Sequence, residues 1–208
     1  MAEQTRGAIL GIILAGGQGR RMGGDKPLQE LAGRPLLAHV AARLAPQVDA
    51  VILNANDDPA RYAAFGLPVA ADPVPDFAGP LAGILAGMDW ARANRPETVA
   101  LLSVPADAPF LPRDLAVRMM AARDRAGAEI ACAASGGQLH PVVGLWPLAL
   151  RDDLRHALIA DGVRRMTDYT ARHHMAQAAF GTDPVDPFFN VNTPADLAAA
   201  EALAAASI

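Results

Sequence analysis

Short apolar runs alternate along this chain with stretches whose apolar residues recur at helical spacing. The first run, Ala8–Leu14, contains three isoleucines and is followed by glycines, which predicts a buried strand. The next apolar residues fall on one helical face: Leu36, Leu37, Val40 and Leu44. Because a strand–helix–strand connection returns the chain to the same end of a sheet, the alternation predicts an α/β fold. Its sheet is expected to be mostly parallel, with helices on both faces and three layers in all.

The same patterns predict the remaining elements. Further strands are expected at residues 48–53, 69–71, 99–104, 130–133 and 142–146. Further helices are expected at 81–88, 111–119, 151–159, 162–172 and 194–206, the last with Thr193 as its cap. No repeat, low-complexity linker or shift in composition divides the chain, so residues 1–208 are expected to form a single domain.

Composition narrows the classes of function. The chain of 208 residues has a formal net charge of −4 and no long basic run, which argues against binding to nucleic acid. No apolar stretch approaches the roughly 18 residues that a membrane span needs, so no membrane association is expected. Cys132 is the one cysteine in the sequence, which excludes an internal disulfide and a multi-cysteine metal cluster. A reducing compartment, the cytoplasm, is therefore the expected location.

A loop with five glycines and three cations, residues 16–26, directly follows the first predicted strand. Glycines allow successive backbone N–H groups to point into one concavity, and arginine and lysine add charge for a polyphosphate. Two common phosphate-binding patterns do not fit. A P-loop requires Ser or Thr after its lysine, but Pro27 follows Lys26, and a dinucleotide fingerprint requires glycine where Met22 stands. The loop therefore predicts a polyphosphate site of another type.

Polar residues stand at or just after the carboxyl ends of several predicted strands. They are Asn54, Asp72 and Asp107, together with the glycine-rich loop. In parallel sheets the ligand binds beyond these ends, so the residues are expected to converge on one edge of the sheet. Asp107 is the best candidate to hold Mg²⁺, because this ion usually takes one or two carboxylates together with phosphate oxygens and water.

Several segments carry a family resemblance. The stretch Leu14 to Lys26, with the form L-A-G-G-x-x-x-R-M-G-x-D-K, resembles the signature of nucleotidyltransferases of the sugar-phosphate pyrophosphorylase type. Further matching segments are GPLAG at 79–83, PADAPF at 105–110, HP at 140–141 and NVNTPADL at 190–197. Together, over nearly the whole chain, they resemble the guanylyl-transferring branch of the molybdopterin nucleotidyltransferase family.

The resemblance implies a Rossmann-like nucleotidyltransferase fold and a reaction. The terminal phosphate of molybdopterin attacks the α-phosphorus of GTP, pyrophosphate leaves, and Mg²⁺ is required. GTP and molybdopterin are the implied partners, with transient contacts to cofactor-biosynthesis proteins and to the molybdoenzymes that receive the product. Two other functions stay open. One is a transferase that uses CTP on the same pterin, or a different nucleotidyltransferase that acts on another phosphorylated acceptor. The other is a non-catalytic module that delivers the cofactor, although Asp107 and Lys26 argue against it.

The resemblance also assigns residues. Positions that match nucleotide contacts of the family are Leu14, Ala15, Gly16, Gly17, Lys26, Asn54, Asp72, Gly79 and Asp107. Lys26, Arg21 and Asp107 are the expected catalytic residues, with the two cations on the phosphates.

The metal site and the pterin side each leave a choice open. Asp107 is expected to hold the metal, with Asn192 as a second ligand and Asn190 as its competitor. His140 either lines the pterin side or packs at the entrance of a strand.

Overall fold

The computed structural model describes residues 7–16, 26–74 and 79–206. Within these ranges the strands are β1 (Ala8–Leu14), β2 (Glu30–Leu31), β3 (Arg34–Pro35), β4 (Ala50–Asn54), β5 (Val69–Ala70), β6 (Thr98–Pro105), β7 (Ile130–Ser135), β8 (Gln138–Pro147) and β9 (Met175–Phe180). The α-helices are α1 (Leu36–Leu44), α2 (Pro80–Asn94), α3 (Leu115–Ala126), α4 (Arg151–Ile159), α5 (Met166–Thr170) and α6 (Pro194–Ala206).

Seven of the described strands form one sheet in the order β5-β4-β1-β6-β8-β7-β9. Neighbouring strands pair in parallel, except that β8 runs antiparallel to β6 and β7. The carboxyl ends of the other six strands therefore lie at one edge of the sheet, where β8 begins. The mostly parallel sheet expected from the sequence is confirmed.

Helices cover both faces of this sheet. α1 and α3 cover the face of the sheet that carries Ile9 and Ile13 of β1, whereas α2, α4 and α5 cover the opposite face, which carries Leu10 and Ile12. Successive strand residues point to opposite faces, so a strand covered on both sides must be apolar throughout. Each fully buried side chain of this size stabilises the fold by roughly 1.5–3 kcal/mol relative to an exposed one. The expected three-layer arrangement is confirmed.

A smaller apolar cluster attaches α6 to the rest of the molecule. Leu31 of the short β2–β3 hairpin, Leu36, Val191 and Ala200 are buried together in it. Because Val191 lies three residues before Pro194, the first residue of α6, this cluster anchors the segment that carries Asn192 against the region that follows Lys26. The packing thus joins two parts of the chain that are distant in sequence.

Some element predictions are wrong. The helix expected at 162–172 is reduced to α5, because Gly162 has a φ of +67° and Arg165 is extended. The helix expected to start at Leu111 begins at Leu115, although Leu111 is buried. Neither β9 nor the β2–β3 hairpin was expected. Three of the six residues of β9 are alanines, and alanine is depleted in strands, which hides its alternating burial pattern.

The structure adds to two points raised by the composition, the single cysteine and the membrane span. Cys132 is fully buried in β7, and burial raises the pKa of its thiol to about 12. Since the thiolate is the reactive form, this thiol is inert at neutral pH. In the part of the chain that the structure describes, no helix is long and apolar enough to cross a membrane.

Candidate active site

The order of the strands creates a crevice beside β1. From β1 the chain moves outward to β4 and β5, and it then returns to β6 on the other side of β1. The loops after β1 and β6 therefore leave in opposite directions, and such a switch point is where open α/β sheets bind ligands. Gly16 follows β1 and Asp107 follows β6. The predicted phosphate loop and the predicted metal-binding carboxylate thus begin on either side of this crevice.

Lys26, Asp107 and Asn192 come together at this place. The Lys26 ammonium pairs with Asp107 Oδ2, and Lys26 Nζ lies 2.6 Å from Asn192 Oδ1. The side chains of Lys26 and Asp107 keep only 17% and 18% of their surface exposed. A carboxylate oxygen and an amide oxygen therefore converge on one positive charge in a largely shielded position.

The segment before α6 is held so that Asn192 points to this cluster. The Val191 N–H donates to Asp107 O at 3.0 Å, and the Val191 side chain is fully buried. Asp196 Oδ2 accepts from the N–H groups of Asn192 and Thr193, both at 2.9 Å, and Thr193 Oγ1 accepts from the Asp196 N–H at 3.1 Å. The expected Thr193 cap is therefore confirmed. The hydrogen bond from the Asn192 N–H is the largest of several contacts that hold the pKa of Asp196 below its ordinary value.

Asp107 has one oxygen without a partner. Asp107 Oδ1 is buried and makes no hydrogen bond to any described group. A buried carboxylate oxygen in this condition is costly unless a ligand satisfies it. Oxygen ligands from a carboxylate and an amide suit Mg²⁺, so Asp107 and Asn192 fit such an ion. The described residues contain no cluster of three or more His, Cys, Asp or Glu suited to a metal, and a Mg²⁺ ion shared with substrate phosphates does not need one.

A second polar cluster lies on the β4–β5 side of the crevice. Asn54 Nδ2 donates to Asp72 Oδ1 at 2.9 Å and to Ala70 O at 3.1 Å. Asn56 Nδ2 donates to Asp72 Oδ2 at 2.7 Å, and its Oδ1 accepts from the Asp72 N–H at 2.8 Å. Each carboxylate oxygen of Asp72 thus has one fixed donor and a remaining lone pair. The network fixes the orientation of Asp72 before any ligand binds.

Two glycines allow close approach around Asn54. A Cβ at Gly16 would lie 3.3 Å from both Asn54 Oδ1 and Asn56 Nδ2. A Cβ at Gly83, in the first turns of α2, would overlap Asn54 Oδ1 and lie 2.7 Å from Leu14 Cδ2. The φ angle of Gly16 lies outside the left-handed range that favours glycine, so the requirement for glycine at this position is space.

The backbone after β1 is partly committed to the sheet. The Ala15 N–H donates to Asn54 O at 2.9 Å, and Leu14 O accepts from the Ala106 N–H at 3.1 Å. Gly16 is the first residue after β1 whose N–H makes no hydrogen bond to a described group. Gly79 immediately precedes Pro80, the first residue of α2, as the sequence predicted for a helix start. Predicted residues Gly17 and Arg21 lie outside the described residues.

Sequence reasoning missed several polar residues of this edge. Asn56 has a signal, because the strand end reads Asn-x-Asn, but the residue was not expected in the site. Ser135 and Asp186 hydrogen-bond to each other at 2.8 Å across 51 residues, and neither has a local motif. His140, which hydrogen-bonds to Ser135, belongs to the HP motif, whose role the sequence left open.

A mostly parallel sheet with a glycine-rich loop, a lysine and a carboxylate at its switch point is the architecture of a nucleotide-binding α/β protein. Residues 11–177 match the family model described as the MobA-like NTP transferase domain. The chain therefore belongs to the MobA-like NTP transferase family.

Relatives over the full length are similar in sequence and in fold. A molybdenum cofactor guanylyltransferase of Bradyrhizobium sp. is 57% identical over 99% of this chain and 97% of its own length. One from Rhodopseudomonas palustris is 58% identical over 93% of this chain and 92% of its own. The crystal structure of molybdopterin-guanine dinucleotide biosynthesis protein A from Archaeoglobus fulgidus has a TM-score of 0.72 at 21% identity. It covers 95% of this chain and 99% of that one, and it supports the fold.

Proposed function

We propose that this chain transfers GMP from GTP to the terminal phosphate of molybdopterin, which releases pyrophosphate and forms the guanine dinucleotide form of the cofactor. The supporting observation is that Asp107 Oδ1, beside Lys26 at the switch point of the sheet, is buried and has no hydrogen-bond partner among the described residues. It gains weight because relatives that are 57% and 58% identical are named for this transfer. A binding module has less need for a carboxylate held ready at this point.

The reaction needs little covalent chemistry from the protein. An oxygen of the pterin phosphate forms a bond to the α-phosphorus of GTP. The bond from that phosphorus to the oxygen that bridges to the β-phosphate breaks, and its electron pair leaves with pyrophosphate. Because the attacking phosphate is already ionised, no side chain has to remove a proton. Catalysis then depends on positioning and on neutralising charge.

Lys26, Arg21 and Asp107 are the proposed catalytic residues. Lys26 exchanges its contacts with Asp107 Oδ2 and Asn192 Oδ1 for the phosphates of GTP. Arg21 holds the departing pyrophosphate, a role assigned from its place in the sequence motif. Asp107 holds Mg²⁺ with help from Asn192. The ion, when bound, neutralises charge that develops on the phosphate oxygens.

The nucleoside is proposed to lie on the side of β4 and β5. The carboxylate of Asp72 offers oxygen acceptors, so it can pair with the N–H donors of guanine or with ribose hydroxyls. Asn54 holds this carboxylate, and Gly16 and Gly17 let the backbone approach the phosphates. Leu14, Ala15 and Gly79 complete the predicted contacts through their backbone.

Three broader expectations are part of this proposal. Residues 1–208 act as one nucleotidyltransferase domain. The protein works in the cytoplasm. It meets cofactor-biosynthesis proteins and recipient molybdoenzymes in transient contacts. Truncation tests the first of these statements, cell fractionation the second, and pull-down the third.

Pyrophosphate release tests the function. The protein is incubated with molybdopterin, Mg²⁺ and one of GTP, CTP or ATP. Release with GTP well above that with CTP supports the proposal. Release with CTP alone would reassign the enzyme to cytidylyl transfer, and no release with any nucleotide would favour a delivery module.

A further inference from the structure

Three polar side chains meet at the same edge of the sheet, on the far side of Asp107 from Asp72. Ser135 ends β7, His140 lies near the start of β8, and Asp186 arrives from the segment after β9. The strand order is β5-β4-β1-β6-β8-β7-β9. Asp72 follows β5, Asp107 follows β6, and His140 belongs to β8. A ligand that extends across the crevice from the nucleoside side would therefore reach His140 at its other end.

Hydrogen-bond counting fixes the tautomer of His140. Asp186 Oδ1 accepts from Ser135 Oγ at 2.8 Å and from the Phe188 N–H at 3.0 Å. Ser135 has a single hydroxyl proton, and an ionised carboxylate can only accept, so that proton belongs to the bond with Asp186. Ser135 Oγ lies 2.7 Å from His140 Nε2 and must accept there. His140 therefore carries its proton on Nε2, and in the neutral ring Nδ1 is an acceptor.

The second ring nitrogen stays available. Among the described residues no group donates to His140 Nδ1, and Nδ1 is not one of the buried unpartnered atoms. The His140 ring is held against Phe188 with ring centroids 4.9 Å apart, and Phe188 packs edge-on against Phe180 at 5.1 Å. Burial lowers the pKa of His140, with Asp186 acting in the opposite direction, and this shift favours the neutral ring. The site thus presents one oriented acceptor from a fixed ring.

We propose that His140, held by Ser135 and Asp186, positions the acceptor substrate by accepting a hydrogen bond at Nδ1 from its heterocycle. The matching ligand class is a fused nitrogen heterocycle with ring N–H or amino donors, which a pterin provides. This inference rests on the proposed function and adds the residue that recognises the acceptor.

The rival role is structural, and it uses the other nitrogen. Asp186 and Phe188 begin the segment that continues to Val191 and Asn192, and the Val191 N–H donates to Asp107 O. If His140 acted only by supporting Ser135 and Asp186, the Nε2 donor would matter and Nδ1 would not. Two substitutions separate these roles. Glutamine places a donor near the position of Nε2, whereas asparagine places an acceptor near the position of Nδ1.

The test uses His140→Asn and His140→Gln in the full-length protein. Binding of molybdopterin is followed by its intrinsic pterin fluorescence without nucleotide, and KM values for GTP and molybdopterin are measured separately. We expect His140→Gln to weaken pterin binding about tenfold, the scale of one lost hydrogen bond that leaves a buried donor unpaired. His140→Asn should stay within about threefold of the wild type, and KM for GTP should change little in either variant.

Other outcomes overturn the inference. Wild-type binding in His140→Gln with weakened binding in His140→Asn would assign the structural role. Equal loss in both variants, or no loss in either, would remove Nδ1 from the pterin site. Ser135→Ala gives a second test if a His140 variant does not fold, because it frees the tautomer of His140. It should weaken pterin binding while Ser135→Thr keeps it. A wild-type protein that neither binds molybdopterin nor releases pyrophosphate would instead reject the proposed function.

Discussion

At the scale of single residues, Asp107 Oδ1 has the clearest consequence, because it is buried and no group in the described part of the chain donates to it. Ordinary core packing would not leave a buried carboxylate oxygen without a donor, since its desolvation lowers stability. Asp107 Oδ2 is at the same time neutralised by Lys26. The residue is therefore arranged for a charge that arrives with the ligand, which makes it a better subject for kinetic tests than for stability tests.

Removal of Asp107 should affect turnover more than binding. We expect Asp107→Ala to lower kcat on the order of 10²-fold or more, because the carboxylate that would fix Mg²⁺ at the developing negative charge is lost. Affinity for GTP should fall less, and the apparent affinity for Mg²⁺ should drop. Steady-state transfer across a Mg²⁺ titration measures both effects. Thermal melting is the folding control, and Asp107→Asn keeps the volume of the side chain. A folded variant with normal kcat at ordinary Mg²⁺ would remove Asp107 from the metal site.

Lys26 should compete with a divalent cation when no nucleotide is bound. Its ammonium contacts Asp107 Oδ2 and Asn192 Oδ1, which belong to the two side chains that fit a metal. We expect Lys26→Met to bind Mn²⁺ more tightly than the wild type, because the competing positive charge is gone. The same variant should bind GTP more weakly and turn over more slowly. Free Mn²⁺ is measured by electron paramagnetic resonance, with Lys26→Arg as the charged control. Unchanged Mn²⁺ binding in Lys26→Met would contradict this arrangement.

At the scale of elements, the contact of α2 with the sheet is set by glycine. Gly→Ala inside a helix normally stabilises it by roughly 0.8–1.0 kcal/mol. At Gly83, however, the added Cβ meets Asn54 and Leu14. Whether Gly83→Ala raises or lowers the stability of the fold therefore shows which is larger here, the gain in helix propensity or the cost of the clash with Asn54 and Leu14.

We expect Gly83→Ala to destabilise the fold by about 1–2 kcal/mol and to weaken GTP binding. Overpacking typically costs about 1–3 kcal/mol, which outweighs the gain in helix propensity. Displacement of Asn54 would also release the carboxylate of Asp72 from one of its donors. Calorimetric melting and GTP titration measure the two effects. Gly181→Ala is the matched control, since a Cβ at Gly181 meets nothing within 4 Å. A more stable Gly83→Ala protein would contradict the packing argument.

The sequence predicted elements well where a single local pattern decides the structure. β1 and α1 were predictable because a strand covered on both faces must be apolar, and because the apolar positions of α1 share one face. β9 was missed because alanine gives little strand signal, and α5 was overextended because a turn at Gly162 interrupts the helical pattern.

Some residues of the candidate site were predictable from the sequence, and others were not. Asp107 was predictable from its place after a strand, whereas the meeting of Asp107 and Asn192 at Lys26 depends on how the segment before α6 packs. Asn56, Ser135 and Asp186 matter through partners that are distant in sequence, and a single amino-acid sequence gives no signal for such pairs. The motifs therefore predicted which residues converge, and the structure adds which atoms of those residues remain free to bind.

At the scale of the whole molecule, one edge of the sheet holds three groups in a row. Asp72 with its amide donors lies beyond β5, Lys26 and Asp107 lie at the switch point, and His140 lies beyond β6 in strand order. A dinucleotide product has the same order, with a base at one end, phosphates in the middle and a second heterocycle at the other. The two substrates can therefore bind side by side along this edge of the sheet, with their phosphates meeting at the switch point.

This arrangement predicts how nucleotides stabilise the protein. The ends of the crevice differ in chemistry, so GTP with Mg²⁺ should stabilise the fold more than CTP or ATP at equal concentration. A ligand present at 100 times its Kd stabilises by about 2.7 kcal/mol, which raises the Tm of a protein of this size by several degrees. Thermal melting with each nucleotide at one Mg²⁺ concentration measures the difference, and Asp72→Asn is expected to reduce the advantage of GTP. Equal shifts with CTP would reject guanine selection at the Asp72 end, while the phosphate contacts of Lys26 and Asp107 would still stabilise the protein with either nucleotide.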